Sequence, residues 1–228
     1  MMEPQGVRHA FVSELQSLEH DLLEMGSRAE AMVGIAADSL TRLDTGLARE
    51  VLARDDDIDE RDRMIEEHCL RLIALQQPIA GDLRVVSTAM KMITDIERIG
   101  DLAVDIAKIT LKVDKEFGET SIIDIPKIAN VARQMLRLAL EAFVRRDLDL
   151  VRRVIVMDDE VDDLYRSLRE HIFSIMRSHP EHVVSDSWLL LAIHHVERIA
   201  DHSVNIAERI SFMVTGENKH RHHEEPEG

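Results

Sequence analysis

The sequence predicts an all-α protein built as two tandem, pseudo-symmetric three-helix bundles. Three observations carry this prediction. Only nine Gly and five Pro interrupt 228 residues, which favours long helices over many short strands. Apolar residues recur at helical spacing, as in the seven-residue series Val51, Ile58, Ile65 and Leu72, a narrow seam suited to bundle packing. The chain also repeats itself. At an offset of 103, "RLDTGLAREVLARDDDID" (42–59) lies on "RRDLDLVRRVIVMDDEVD" (145–162), which brings Asp44 onto Asp147, Val51 onto Val154, Asp55 onto Asp158 and Asp59 onto Asp162. At an offset of 100, "IERIGD" (96–101) lies on "VERIAD" (196–201). The change of offset places a three-residue loss in the second copy, around Pro180.

Taken in order, the first half covers 8–117 with helices at 8–43, 46–76 and 80–116, and the second covers 121–215 with helices at 122–146, 148–178 and 183–215. The first helix ends before Asp44, which stands at the N-cap of the second, as Asp147 does before the fifth. "QQPIAGD" stops the second helix and "SHPEH" the fifth, because proline cannot continue a helix and biases the preceding residue out of it. The third helix carries Ile93, Ile96, Ile99, Ala103 and Ile106 on one side. "FGETS" (117–121) is the mid-chain linker from which the fourth helix starts. The sixth contains "WLLLAI", the longest apolar run, at six residues; a membrane helix needs roughly 20. The tail 216–228, "GENKHRHHEEPEG", is charged without periodicity and reads as disordered.

Aromatics are scarce, with five Phe, one Tyr and one Trp, so the core is aliphatic, and Met25, Met90 and Met92 read as gap-fillers in it. A net charge of −16 repels a phosphate backbone, which argues against nucleic acid and favours cations or basic partner surfaces. The acidic N-terminus has no signal-peptide run, and the single cysteine, Cys69, makes no internal disulfide. A cytoplasmic protein fits these features.

The repeated heptads set carboxylates four residues apart: Glu97/Asp101 and Glu197/Asp201, joined by Asp55/Asp59 and Asp158/Asp162 on the preceding helices. At about 100° per residue, Asp101 lies roughly 40° from Glu97, at the edge of the apolar face rather than on the far solvent side. Like charges so placed cost a helix a few tenths of a kcal/mol, and more when desolvated. A solvated face partly neutralised by Arg98 and Arg198 is the plain explanation. Two antiparallel helices that bring one pair from each together would instead gather four carboxylates, an all-oxygen site for Mg, Mn, Fe or Zn.

These halves, with "QPIAGDLR" at 77–84 and "ERIGD" and "ERIAD" at corresponding points, resemble the PhoU family of bacterial regulators of phosphate uptake over about residues 8–215. The family's metal motif, Glu or Asp followed four residues later by Asp, matches Asp55/Asp59, Glu97/Asp101, Asp158/Asp162 and Glu197/Asp201. The resemblance implies one multinuclear iron or zinc cluster per half, with manganese or magnesium as alternatives, and a homodimer. It also implies a cytoplasmic adaptor without enzymatic activity. Such an adaptor reports phosphate sufficiency from the ATPase subunit of a phosphate ABC transporter to a sensor histidine kinase, and so represses phosphate uptake and the phosphate-starvation genes. The chain departs from strict duplication in three places. Asp62 and Glu66 face Tyr165 and Arg169, Asp105 faces Asn205, and "QPIAGDLR" has no second copy.

Other residues are candidates for the same chemistry. His194, His195 and His202 flank the last acidic pair and are candidate nitrogen ligands there, although a lone histidine is more often structural. His220, His222 and His223 lie in the tail. Arg84, Arg98 and Arg198 are candidate partner contacts, with local ion pairing as the simpler use. A carboxylate-bridged metalloenzyme is an alternative, but the Glu-x-x-His spacing of di-iron bundles occurs only at Glu217–His220. A PhoU-like scaffold acting on another phosphate carrier is a further alternative.

Overall fold

The computed structural model describes residues 4–113 and 125–217. The predicted linker at 117–121, the boundaries placed there and most of the predicted tail lie outside the described residues. The elements are α1 (Pro4–Arg42), α2 (Thr45–Gln76), α3 (Ala80–Thr110), α4 (Ile125–Arg145), α5 (Leu148–Ser178), a short 3-10 turn (Pro180–His182) and α6 (Val183–Thr215). Among the described residues there is no strand. Nor is any helix there long and apolar enough to cross a membrane.

Local chemistry sets the helix ends. The Asp44 carboxylate accepts from the backbone N–H groups of Gly46 and Leu47 at 2.8 and 3.1 Å. Asp147 does the same for Asp149 and Leu150 at 2.8 and 3.3 Å. Each satisfies donors that the first helical turn cannot pair, a contribution of about 1 kcal/mol per cap. α2 stops where Gln77 enters the left-handed region at φ 46, directly before Pro78. α3 ends at Thr110, six residues before the expected 116, because Lys112 N–H turns back to the Ile109 carbonyl at 2.9 Å and tightens the last turn. α4 has 21 residues against 39 in α1; Pro126 lies at its second position, where proline's missing N–H costs nothing.

α1, α2 and α3 pack on one another, as do α5 and α6, with α4 against both. The halves join where α3 meets its own copy α6 and α1 meets its copy α4, as a pseudo-twofold requires. Both joints are antiparallel. Along α3 and α6, the contacts are Arg84 Nε to the Met213 carbonyl (3.1 Å), Asp95 to His202 (3.0 Å) and the Lys112 ammonium over the Trp188 ring (4.5 Å). Along α1 and α4, Glu30 meets Arg133 at 2.8 Å. A Cβ on Gly26 would come within 2.5 Å of Leu140, so glycine lets these two helices approach closely there. A single apolar core runs through both halves. It includes the α2 seam Val51, Ile58, Ile65 and Leu72, its α5 copy Val154, Val161 and Leu168, and Met25 and Met92. Cys69 is fully buried, and that burial pushes its thiol up to about 12, which makes it inert packing rather than a nucleophile.

Candidate metal centres

Because α2 and α3 run antiparallel, their acidic pairs meet. Asp55 on α2 is held above the usual carboxylate range first by desolvation, then by the charges of Asp59 on its own helix and Asp101 on α3. Glu97 on α3 is raised in the same way, by desolvation, then Asp101, with Asp62 and Asp59 of α2 also acting on it and Arg98 opposing. Asp62, half-buried, is raised by desolvation and by Glu66 and Asp59. The first cluster therefore gathers Asp55, Asp59, Glu97 and Asp101, with Asp62 beside them. Arg98 lies along its outer edge, 3.5 Å from Glu97 and donating to Asp101 at 2.8 Å.

α5 and α6 repeat this arrangement with different neighbours. Glu197 is raised by desolvation, then by Asp162 and Asp158 across the helix pair. Asp201 is pushed up to about 6, first by desolvation and then by Glu197 and Asp162, against the opposing charges of His202 and His194. It still reaches solvent, so neighbouring charge adds to a desolvation that is only partial. All eight carboxylates singled out in the sequence thus fall into two groups, one per half. Each group lies along the facing surfaces of that half's second and third helices.

The three flanking histidines part company. His202 Nδ1 donates to Asp95 of α3 at 3.0 Å and so ties α6 to the other half. His195 is buried, its Nδ1 has no partner, and the charge from outside its own helix that acts on it is Asp105 of α3. His194 Nδ1 lies 3.2 Å from Glu197 Oε2, and both His194 and His202 act on Asp201. Arg84 is engaged with the Met213 carbonyl rather than in an ion pair. No motif marks Asp95, which is buried and accepts from both His202 and Arg209, the latter at 2.7 Å.

These residues suit a cation. Glu197 Oε2 is buried with no hydrogen-bond partner, and four of the carboxyls are raised by burial and mutual repulsion. A positive ion supplies what such groups lack, and carboxylate donors favour hard or borderline metals. Among the described residues no three acidic, imidazole or thiol side chains are placed to hold one metal ion.

Two helical triplets, each with carboxylates facing across its second and third helices, define a duplicated helical-bundle protein with one candidate metal centre per half. A family model described as the PhoU domain matches residues 22–110 and again 125–210. The chain belongs to the PhoU family. It is 36% identical over 210 residues to the phosphate-specific transport system accessory protein PhoU homolog of Clostridium acetobutylicum, covering 92% of this chain and 96% of that protein. It is 30% identical over 208 residues to the accessory protein PhoU of Escherichia coli, covering 91% and 86%. Among solved structures, that of PhoU from Pseudomonas aeruginosa superposes with a TM-score of 0.86 at 34% identity, over 91% of this chain and 100% of that one. The phosphate transport system regulatory protein PhoU from Streptococcus pneumoniae gives 0.85 at 29%, over 92% and 100%.

Proposed function

We propose that this chain is an accessory regulator of a phosphate-specific transport system. It acts in the cytoplasm, without catalysis of its own, as an adaptor between the transporter's ATPase subunit and a sensor histidine kinase. By reporting phosphate sufficiency it represses phosphate uptake and the phosphate-starvation genes. The observation that supports this reading is the near full-length match, in sequence and in fold, to proteins named as accessory proteins of phosphate-specific transport systems and to a solved PhoU structure. With its net charge of −16, the adaptor docks on basic partner surfaces, and that association weakens with salt. Deleting the gene is expected to derepress phosphate-starvation transcripts in high phosphate. Transcripts that stay silent, with phosphate uptake unchanged, would refute the role.

Each half holds a metal cluster in this reading. Asp55, Asp59, Glu97 and Asp101 form one, and Asp158, Asp162, Glu197 and Asp201 the other, with iron or zinc, or else manganese or magnesium, as the ion. A bound cation offsets the repulsion among the carboxylates and ties the second helix of each half to the third. Complementation of the deletion strain by Glu97→Gln/Asp101→Asn reports whether the cluster matters to signalling. The chain acts as a homodimer. Leu75, Ile79 and Val184, at 72%, 78% and 73% exposure, are apolar surface of the kind that self-association covers. Sedimentation is expected to show a species of twice the 26.0 kDa chain mass at micromolar concentration; a monomer throughout that range would remove the dimer from this reading.

A further inference from the structure

We infer that the groove between α1 and α2 is a docking surface for a basic amphipathic helix of a partner protein. This surface, which presupposes the adaptor reading given above, lies on the side of α2 away from the first acidic cluster. Taking about 100° per residue, Asp55 of that cluster and Asp62 beside it stand roughly 140–160° from Glu60 of the groove.

The groove has a volume of about 510 Å³, room for several side chains where a water molecule takes about 30 Å³. Its back wall consists of pairs that hold α1 on α2. Buried His68 meets Glu14 at 2.8 Å and Asp21 at 3.8 Å. Asp57 and Arg61 of α2 reach Arg28 and Glu24 of α1 at 2.8 and 3.0 Å. The outer wall is different. Glu60, Met64 and Glu67 all line the groove and are exposed, Met64 at 63%. They fall within roughly 60° of one another around the helix. Among the described residues neither of these two glutamates has an ion pair.

Charge and shape name the occupant. The carboxylates on the groove outnumber its two arginines, Arg61 and Arg71, and Arg61 is already engaged with Glu24 and Asp57. A cation is drawn in and an anion repelled. A free ion needs no apolar contact, yet Met64 stands between the two glutamates beside buried Ile65, and methionine adapts to varied apolar partners. Glu60 and Glu67 are about 10.5 Å apart along the axis. Two turns of a partner helix span that distance. Basic residues seven apart, with a leucine-like residue between them, therefore match the outer wall in a helix-in-groove arrangement. The described part of the second half does not repeat these elements. At the offset of 103, Asp163 and Glu170 stand for the glutamates, but Ser167 stands for Met64. α4 begins at Ile125, the place of Leu22. The stretch of α1 that carries Glu14, Ser17 and Asp21 lies ahead of both PhoU-domain matches, 22–110 and 125–210, so duplication does not account for this wall.

The probe is a synthetic peptide of about 18 residues, five helical turns, with lysines seven apart and leucine between them; a scrambled peptide of the same composition is its control. It is titrated into the full-length chain at about 0.15 M salt, where charges more than about 8 Å apart are screened. The methyl signals of Met64 and Ile65 are expected to shift with the patterned peptide and to stay with the scrambled one. Glu60→Lys/Glu67→Lys is expected to weaken binding at least about tenfold. Asp163→Lys/Glu170→Lys makes the same change of net charge at the matching place on α5 and is expected to weaken it less than about twofold. All four positions are exposed and lysine is a good helix former, so both variants keep the fold, which melting curves verify. Equal losses in the two variants, or Met64 and Ile65 signals that ignore the peptide, overturn the inference and leave a solvated acidic face. Signals that move instead on dilution, as a dimer dissociates, overturn it in favour of a second copy. In the deletion strain, Glu60→Lys/Glu67→Lys is expected to leave phosphate-starvation transcripts derepressed where the α5 variant silences them. Repression restored by both variants overturns the docking surface alone. A deletion strain that stays silent removes the adaptor reading and the surface together.

Discussion

Replacing Asp95 with asparagine is expected to destabilise the protein by about 2–4 kcal/mol, by equilibrium denaturation. Breaking a buried ion pair from one side costs about 3–5 kcal/mol, because the remaining charge is left without a partner in a poor solvent. The lower figure is expected here because the Arg209 side chain is one-third exposed and can rehydrate, whereas that of Asp95 is 6% exposed. The asparagine keeps one acceptor oxygen, but its amide turns a donor toward one of two donors, His202 Nδ1 at 3.0 Å or Arg209 Nε at 2.7 Å. Both lie on α6 and Asp95 on α3, so the loss falls on the joint between halves rather than within one bundle. A double-mutant cycle with Arg209→Ala is expected to give a coupling of about 1–3 kcal/mol. Additive effects, or a variant within about 0.5 kcal/mol of the unaltered chain, the range of ordinary surface changes, would show that the halves are held by apolar packing alone.

That bridge also marks the limit of what could be read from the sequence. The helices were legible because their causes are local. Val51, Ile58, Ile65 and Leu72 announce a buried seam by their period, and all four are buried. Asp44 and Asp147 announce caps, and both carboxylates hold N–H groups of the turn they open. The four acidic pairs were expected to form two clusters because the helices that carry them are antiparallel neighbours. Asp95 gave no such signal, since its partners lie 107 and 114 residues away and its counterpart at the offset of 100 is His195. Duplication sets which helices face each other, but the polar contacts at the joint have diverged. On one side of the pseudo-twofold Asp95 receives His202 and Arg209; on the other, buried His195 sits in the field of Asp105 with its Nδ1 unbonded. For the same reason His202, read from sequence as a candidate ligand beside Asp201, turns to α3.

The Asp201→Asn variant is expected to melt higher than the unaltered chain when both are metal-free at neutral pH, and lower when both are saturated with metal. Two opposed roles of one carboxylate produce the reversal. Without metal, Asp201 is desolvated against its helix and crowded by Glu197 and Asp162, which push it from 3.8 up to about 6. A carboxyl whose folded value is raised favours the folded state while it is protonated. That stabilisation is complete below about 3.8 and lost as pH rises through about 6. The metal-free chain is therefore expected to lose melting temperature between pH 4 and 7, and Asp201→Asn to flatten that slope, because asparagine keeps the shape and removes the charge. With metal the sign changes. An ion that binds only the folded state stabilises it by about 2.7 kcal/mol at one hundred times its dissociation constant, and its uptake displaces protons from the same carboxyls. The variant, short of one ligand, gains less from the same ion concentration. Calorimetric scans of both proteins at pH 5 and 7, with and without zinc, iron or manganese, measure all four corners. A solvated acidic face would respond differently, with no metal-dependent shift in either protein and a variant within about 0.5 kcal/mol of the unaltered chain. Stability given up in the empty protein and recovered only with an ion bound is the signature of a binding site, and the reversal would separate that from surface charge.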